Sequence, residues 1–178
     1  MARMDVATVA AVVISALSAL GCSDPPEPPA RGGLLLIPDG TDRVGETCPA
    51  AHSLGVGNPT PTAEDPSVNG LKISGEDDTD VTCTVSKNGE FRASIAAPNV
   101  SLDLRGTLGQ PGSISAYAPS ATLSVIGVNI CTFSTEPPYS YHPGEMFIGF
   151  SCPGAKNPDY PGTVCNMSGS VVVLRCAE

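Results

Sequence analysis

The seven cysteines carry the clearest chemistry in this chain, because a thiol can form a disulfide, bind a metal or be modified. Seven is an odd number, so in an exported protein one cysteine is left over from any set of disulfides. Six of the seven follow one another at separations of 35, 48, 21, 13 and 11 residues, without a C-x-x-C pair, which argues against a zinc site. These six are Cys48, Cys83, Cys131, Cys152, Cys165 and Cys176.

Cys22 differs from the other six in the segment that precedes it. Arg3 gives a positive start, residues 6–20 carry no charge, and the sequence SALGC at 18–22 ends the stretch. Fifteen residues fit the core of a signal peptide, whereas a bilayer-spanning helix needs about 20. The prolines of residues 25–29 then prevent a helix from continuing, since proline has no backbone donor.

This leader resembles that of bacterial lipoprotein precursors, in which small residues precede a lipidated cysteine that becomes the mature N-terminus. The resemblance covers residues 1–22 and implies removal of 1–21 and attachment to the membrane through palmitate-type acyl chains on Cys22. The family usually has leucine three residues before the cysteine, where this chain has Ala19, and an ordinary secretory signal is the alternative. Ser23 is compatible with an outer-membrane location, periplasmic or surface-facing. Lipidation of Cys22 would leave an even six cysteines.

Six cysteines permit fifteen disulfide connectivities, and the sequence does not choose among them. We expect a local Cys152–Cys165 bridge, because residues 153–162 between them are rich in proline and glycine and a bridge would restrain them. Loop closure makes such a bridge worth about 3 kcal/mol. Cys48, Cys83, Cys131 and Cys176 would supply the other two bridges, with their pairing open.

The chain has two histidines, His52 and His142, which are its only neutral-pH candidates for a catalytic base. A catalytic triad needs a base that touches a nucleophile and is oriented by a carboxylate. Neither histidine belongs to a nucleophile motif, and there is no G-x-S-x-G. We therefore expect exposed or structural histidines, with no catalytic residue, cofactor or metal site.

Two further residue groups have a chemical and a structural interpretation. The acidic run at 76–80 offers oxygen ligands for calcium but lacks the spacing of an EF-hand loop, and residues 39–42 are a weaker case. We expect a solvated loop at 76–80. Tyr139, Tyr141 and Tyr160 lie near prolines, where tyrosines can form a recognition surface or pack locally on the proline rings, and we favour local packing.

Composition limits the partners and divides the chain. A net charge of −9 disfavours nucleic acid and anionic headgroups as partners, and the scarcity of aromatic residues argues against a stacking platform for sugars.

Residues 23–70 hold nine of the eighteen prolines, so we expect a tether over 23–47 and a loop over 48–70. Within the tether, the apolar run 34–37 could add a strand to a sheet edge.

From Leu71 onward apolar and polar residues alternate with a period of two, which indicates half-buried strands. Asn88-Gly89 between two such runs predicts a hairpin. The apolar stripes are Val81, Cys83 and Val85; Phe91, Ala93 and Ile95; Val100, Leu102 and Leu104; Met146, Ile148, Phe150 and Cys152; and Val172, Leu174 and Cys176. Weaker runs at 113–118, 121–125 and 128–133 bring the total to about eight short strands.

These patterns predict an all-β domain over 71–178, an antiparallel β-sandwich or small barrel that follows a signal peptide (1–21) and a proline-rich tether and loop (22–70). The function we expect is that of a membrane-anchored envelope lipoprotein that serves as a binding or structural module, with an envelope protein or a glycan as its partner. The alternatives are an envelope hydrolase and a lipoprotein that holds a small apolar ligand inside a barrel.

Overall fold

The computed structural model describes residues 27–39, 54–57, 70–119, 123–158 and 164–178, and its regular elements are eleven strands. They are β1 (Arg31–Asp39), β2 (Leu54–Val56), β3 (Lys72–Ile73), β4 (Asp80–Val85), β5 (Glu90–Ala97), β6 (Val100–Thr107), β7 (Gly112–Ala118), β8 (Leu123–Ser134), β9 (Ser140–His142), β10 (Glu145–Lys156) and β11 (Val164–Leu174). The prediction of an all-β fold is confirmed. None of the described residues form a helix long and apolar enough to cross a membrane.

All eleven strands belong to one antiparallel sheet that curls into a half-barrel. The strand order is β2-β1-β11-β10-β8-β7-β6-β5-β4, while β3 also pairs with β1 and β9 also pairs with β10. Strands β4 to β8 follow one another as neighbours, which accounts for the short turns read from the sequence. Residues 123–125 of the expected run 121–125 and all of the expected run 128–133 belong to one 12-residue strand, β8, and residues 121–122 lie outside the described residues.

The β4–β5 hairpin forms where the sequence predicts it. Gly89 has a φ of +86°, which a residue with a side chain rarely adopts, and Asn88 accepts a hydrogen bond from the Glu90 amide at 3.1 Å. The turn sets the register of Val85 opposite Phe91, so that both side chains enter the core. The alternating stripes of β5 and β6 are likewise buried, as predicted.

Strand β1 corrects the predicted tether. Residues 31–39 form a strand between β2 and β11, away from the sheet edge, and both Leu34 and Leu36 are 0% exposed. Residues Arg31–Asp39 are therefore not a tether: the strand that the run 34–37 could add does form, but inside the sheet and not at its edge. Burial of each leucine contributes about 1.5–3 kcal/mol, which offsets the entropy lost on ordering a segment flanked by glycine and proline.

The direction of the apolar stripe in β11 is also different from the prediction. Val171 and Val173 point into the core, whereas Val172 and Leu174 belong to the opposite face of the strand. A continuous apolar run gives no alternation from which to choose the inward face. Arg175, at a φ of +59°, then ends the strand pattern, and Cys176 packs against the core after it.

The last residues of the chain cover the free edge of β4. The Val85 amide donates to the Ala177 carbonyl at 2.8 Å, and the Ala177 amide donates to the Cys83 carbonyl at 3.1 Å. The Gly144 amide donates to the carbonyl of Val85 at 2.9 Å, from the turn between β9 and β10. An exposed edge strand invites pairing with other chains, so these bonds protect the edge as well as holding the curl of the sheet.

Tyr141 connects β9 to the β4–β5 hairpin. Its hydroxyl lies 2.9 Å from the carbonyl oxygens of both Ser86 and Glu90, and it donates to this pair. Burial raises the pKa of Tyr141 above its usual value of 10.0. The folded state therefore holds the phenolic proton more tightly than the unfolded state, and the associated stability, complete below about pH 10, is lost as the pH rises through the folded pKa.

Replacing Tyr141 with phenylalanine is expected to lower the free energy of unfolding at neutral pH by about 1–2 kcal/mol, since the carbonyl oxygens of Ser86 and Glu90 lose the shared hydroxyl donor and keep only their backbone donors. Urea denaturation at pH 7 and at pH 11 measures this, and the difference from the native chain should shrink at pH 11. Tyr117→Phe is the control, because Tyr117 is 53% exposed. An equal loss in the two variants would contradict the role given to Tyr141.

Candidate functional site

The cysteines form disulfides that join distant parts of the sheet on which any functional site must lie. Cys83 bonds to Cys176 and Cys131 bonds to Cys152, so the expected Cys152–Cys165 bridge is wrong. The reason is the strand register: Ser151 of β10 pairs with Thr132 of β8, so the next residues, Cys152 and Cys131, also face each other. Both cysteine side chains are fully buried. Cys165 is also disulfide-bonded. Cys22 and Cys48 lie outside the described residues.

His142 lies on the outer face, at a depression of about 200 Å³ that Ser140 and Glu145 also line. His142 is exposed and is the cross-strand partner of Glu145. Among the described residues, however, no hydrogen bond or ion pair links these three side chains, so a hydroxyl, an imidazole and a carboxylate are close without forming a triad. His52 and Tyr160 lie outside the described residues.

The acidic run forms a compact turn in which two carboxylates, those of Asp77 and Asp80, have protein partners. Lys72 donates a hydrogen bond to Asp77, which keeps the pKa of that carboxyl below its usual value, and Ser74 donates to Asp80 at 2.9 Å. Over the described residues there is no group of three or more metal-ligating side chains. Residues 76–78 and 80 are exposed to solvent and Thr79 is buried, and residues 40–42 lie outside the described residues.

A groove of about 440 Å³ lies on the outer face of β1, β11, β10 and β8. Strand register places its residues in two rows that cross the sheet. One row runs Leu35, Ser170, Gly149, Ser134, and the other runs Ile37, Ser168, Ser151, Thr132. Since neighbouring strands lie about 4.8 Å apart, the second row presents hydroxyls at regular intervals across three strands, whereas the first has Gly149 between Ser134 and the buried Ser170.

Tyr139 forms one wall of this groove. Its ring lies over Gly149, where a Cβ atom would come within 2.6 Å of the tyrosine ring, and meets Phe147 edge-on at a centroid distance of 4.9 Å. Residues 135–139 leave the sheet between β8 and β9, which lifts the tyrosine onto the outer face. The exposed side chain of Ile37 and its neighbour Leu35 form the other wall.

The chemistry of the groove is that of hydroxyls beside apolar surface. Thr132 and Ser168 make only long hydrogen bonds, each 3.4 Å, to carbonyl oxygens of the next strand. Such bonds are weak, so these hydroxyls remain able to donate to and accept from a ligand. No described residue that lines the groove is charged at neutral pH. The arrangement can bind and orient a ligand, but it offers no nucleophile with an adjacent base.

Sequence reasoning named Tyr139 but missed the hydroxyl rows. Ser168 and Ser170 are two apart and Ser151 lies on a strand identified in advance, yet a serine on the outward side of a strand is ordinary. Only the pairing of β10 with both β8 and β11 brings the rows together. No protein-family model, no curated protein and no solved structure matches this chain.

Proposed function

We propose that this protein is an exported binding module, anchored to a bacterial envelope membrane by lipid on Cys22, and that the outer-face groove is its binding surface. The observation that carries the binding role is the pair of hydroxyl rows between Tyr139 and Leu35, on a sheet fixed by disulfides. A rigid scaffold holds the lining residues in place before the ligand arrives, which lowers the entropic cost of binding.

Disulfides support the export part of the proposal. Cys131–Cys152 and Cys83–Cys176 join parts of the sheet that are separated in sequence, and such bonds persist in oxidising compartments. The leader before Cys22 supplies the route to such a compartment. The lipid on Cys22 supplies the attachment, since the acidic chain would not be attracted to anionic headgroups.

The position of β1 makes the proposed anchor a short one. Arg31 begins the sheet nine residues after Cys22, and nine fully extended residues span at most about 30 Å. Lipid on Cys22 would therefore keep the half-barrel close to the membrane surface. Ala30 accepts a hydrogen bond from the Ser74 amide at 3.0 Å. This bond places the acidic 76–80 turn near the point where the chain enters the sheet.

Intact mass of the membrane-extracted protein tests the anchor. We expect a mass equal to residues 22–178 plus acyl chains, with the protein in the detergent phase. Cys22→Ala should lose the added mass and leave the membrane fraction, while Cys48→Ala provides the matched control at another cysteine. An unmodified protein, released without detergent, would contradict the anchor and indicate ordinary secretion.

The two alternative functions have less support from the geometry. A hydrolase would need His142 in contact with a nucleophile, and its described neighbours Ser140 and Glu145 make no such bond. An apolar ligand inside the curled sheet would need space that core side chains such as Phe91, Leu102 and Phe150 fill. Leu174, which we expected inside, lines the outer depression instead.

A further inference from the structure

We propose that the outer-face groove binds a neutral glycan chain, which lies along β10 and β11 between Tyr139 and the side chains of Leu35 and Ile37. This inference rests on the proposed binding function and assigns a chemical class to its ligand. Three properties of the groove lead to it: the pattern of its hydroxyls, the absence of charge among its described lining residues, and the shape given by Tyr139.

The hydroxyl pattern matches a polymer that carries hydroxyls of its own. A serine or threonine hydroxyl is one donor and two acceptors, which is also the hydrogen-bonding capacity of a sugar hydroxyl. Ser168, Ser151 and Thr132 follow one another on three adjacent strands, so one row offers three such groups at roughly 4.8 Å intervals. A ligand with a single polar group would use only one of them.

The charge of the protein favours a neutral ligand. The chain has a net charge of −9, which repels phosphate- and carboxylate-rich polymers. The described lining residues include no lysine or arginine to offset this repulsion and no carboxylate to hold a cation. A neutral polymer is not repelled by the charge of the protein and needs no charged partner in the groove, so its affinity would change little with salt.

A peptide that binds by adding a strand to an open sheet edge is a less suitable occupant. The groove lies on a sheet face whose strands β10 and β11 are already paired on both sides. At the β4 edge, the backbone groups of Cys83 and Val85 are bonded to Ala177 and Gly144. Side chains, rather than backbone groups, are therefore what the groove offers to a ligand.

Tyr139 gives the groove a surface on which a sugar ring can pack. Sugar rings have apolar faces of C–H groups, and an aromatic side chain offers apolar area with little entropy to lose. The ring is held by Gly149 below it and Phe147 beside it, so its position is set before binding. The scarcity of aromatic residues argues against a platform that stacks several sugar rings, so Tyr139 provides one aromatic contact and the hydroxyls of the groove provide the others.

Calorimetric titration of the whole mature chain with chitotetraose, cellotetraose and maltotetraose tests the proposal. We expect saturable binding of at least one of these neutral tetrasaccharides, with an affinity that changes less than about threefold between 50 mM and 500 mM salt. Binding of none of them, or preference for an anionic polymer such as heparin or for an unstructured peptide, would overturn it.

A paired variant locates the binding on the groove. Ser151→Ala with Ser168→Ala removes two facing hydroxyls of the second row and should weaken binding about tenfold or more. Thr82→Ala with Ser94→Ala is the matched control, since these two face each other on β4 and β5 away from the groove, and it should leave the affinity unchanged. Equal affinities of the two double variants would place the glycan elsewhere and overturn the assignment.

The inference and the anchor can fail separately. The Cys22→Ala variant is expected to bind the tetrasaccharide with full affinity, because no residue that lines the groove precedes Leu35 in the chain. If the native chain carries no lipid but still binds, the anchor is wrong and the glycan site stands. If the chain is lipidated and binds no tetrasaccharide, the anchor stands and the glycan site is wrong.

Discussion

Leu36→Ala is expected to lower the free energy of unfolding by about 2–5 kcal/mol, a large part of what stabilises a domain of this size. Leu36 is 0% exposed and lies on β1, in the part of the chain whose composition suggests a tether. The alanine removes buried methyl groups and leaves a cavity, because β2 and β11 hold the strand in place on both sides. Guanidinium denaturation followed by circular dichroism measures the loss.

Ile37→Ala is the matched control, one residue further along the same strand. Ile37 is 39% exposed on the outer face, so its truncation should cost less than about 1 kcal/mol. Equal and small losses at both positions would mean that residues 31–39 are a tether after all. The contrast between the neighbours therefore tests both the burial of β1 and its alternation of inward and outward side chains.

The sequence was sufficient to predict elements in which pattern and turn chemistry agree. Alternation at Phe91, Ala93 and Ile95, together with Asn88-Gly89, defined the β4–β5 hairpin and its inward face. Each of these signals is local, since a strand of alternating side chains has only one face to bury. The all-β class followed from the repetition of such signals along the chain.

The errors came where the sequence lacks a local signal. Proline and glycine around Leu34 and Leu36 favoured a tether with at most an edge strand, whereas β1 lies inside the sheet. The run 171–174 has no alternation to orient it. Likewise, the Cys131–Cys152 bond and the hydroxyl rows depend on which strands become neighbours of β10. Sheet order arises from long-range packing, so these features could not be read from any one segment.

The second large effect concerns the bond that holds the curl of the sheet. Cys83→Ala with Cys176→Ala is expected to lower the free energy of unfolding by about 4–5 kcal/mol, because the bond closes a loop with a sequence separation of 93. The Cys131–Cys152 bond, at a separation of 21, restricts the unfolded chain less and contributes about 3 kcal/mol by the same argument. Denaturation of each double variant measures both losses.

Loss of the Cys83–Cys176 bond should also have a local consequence that a general weakening of the fold would not produce. Cys176 precedes Ala177, whose backbone groups cover the β4 edge, so the amides of Val85 and Ala177 should exchange hydrogen faster than those of β6. Glu178→Gln is the control, since it removes only the exposed Lys87–Glu178 ion pair of the same tail and should cost less than about 1 kcal/mol. Unchanged exchange at Val85 would show that hydrogen bonds alone hold the edge closed, and that the disulfide acts on the unfolded chain only.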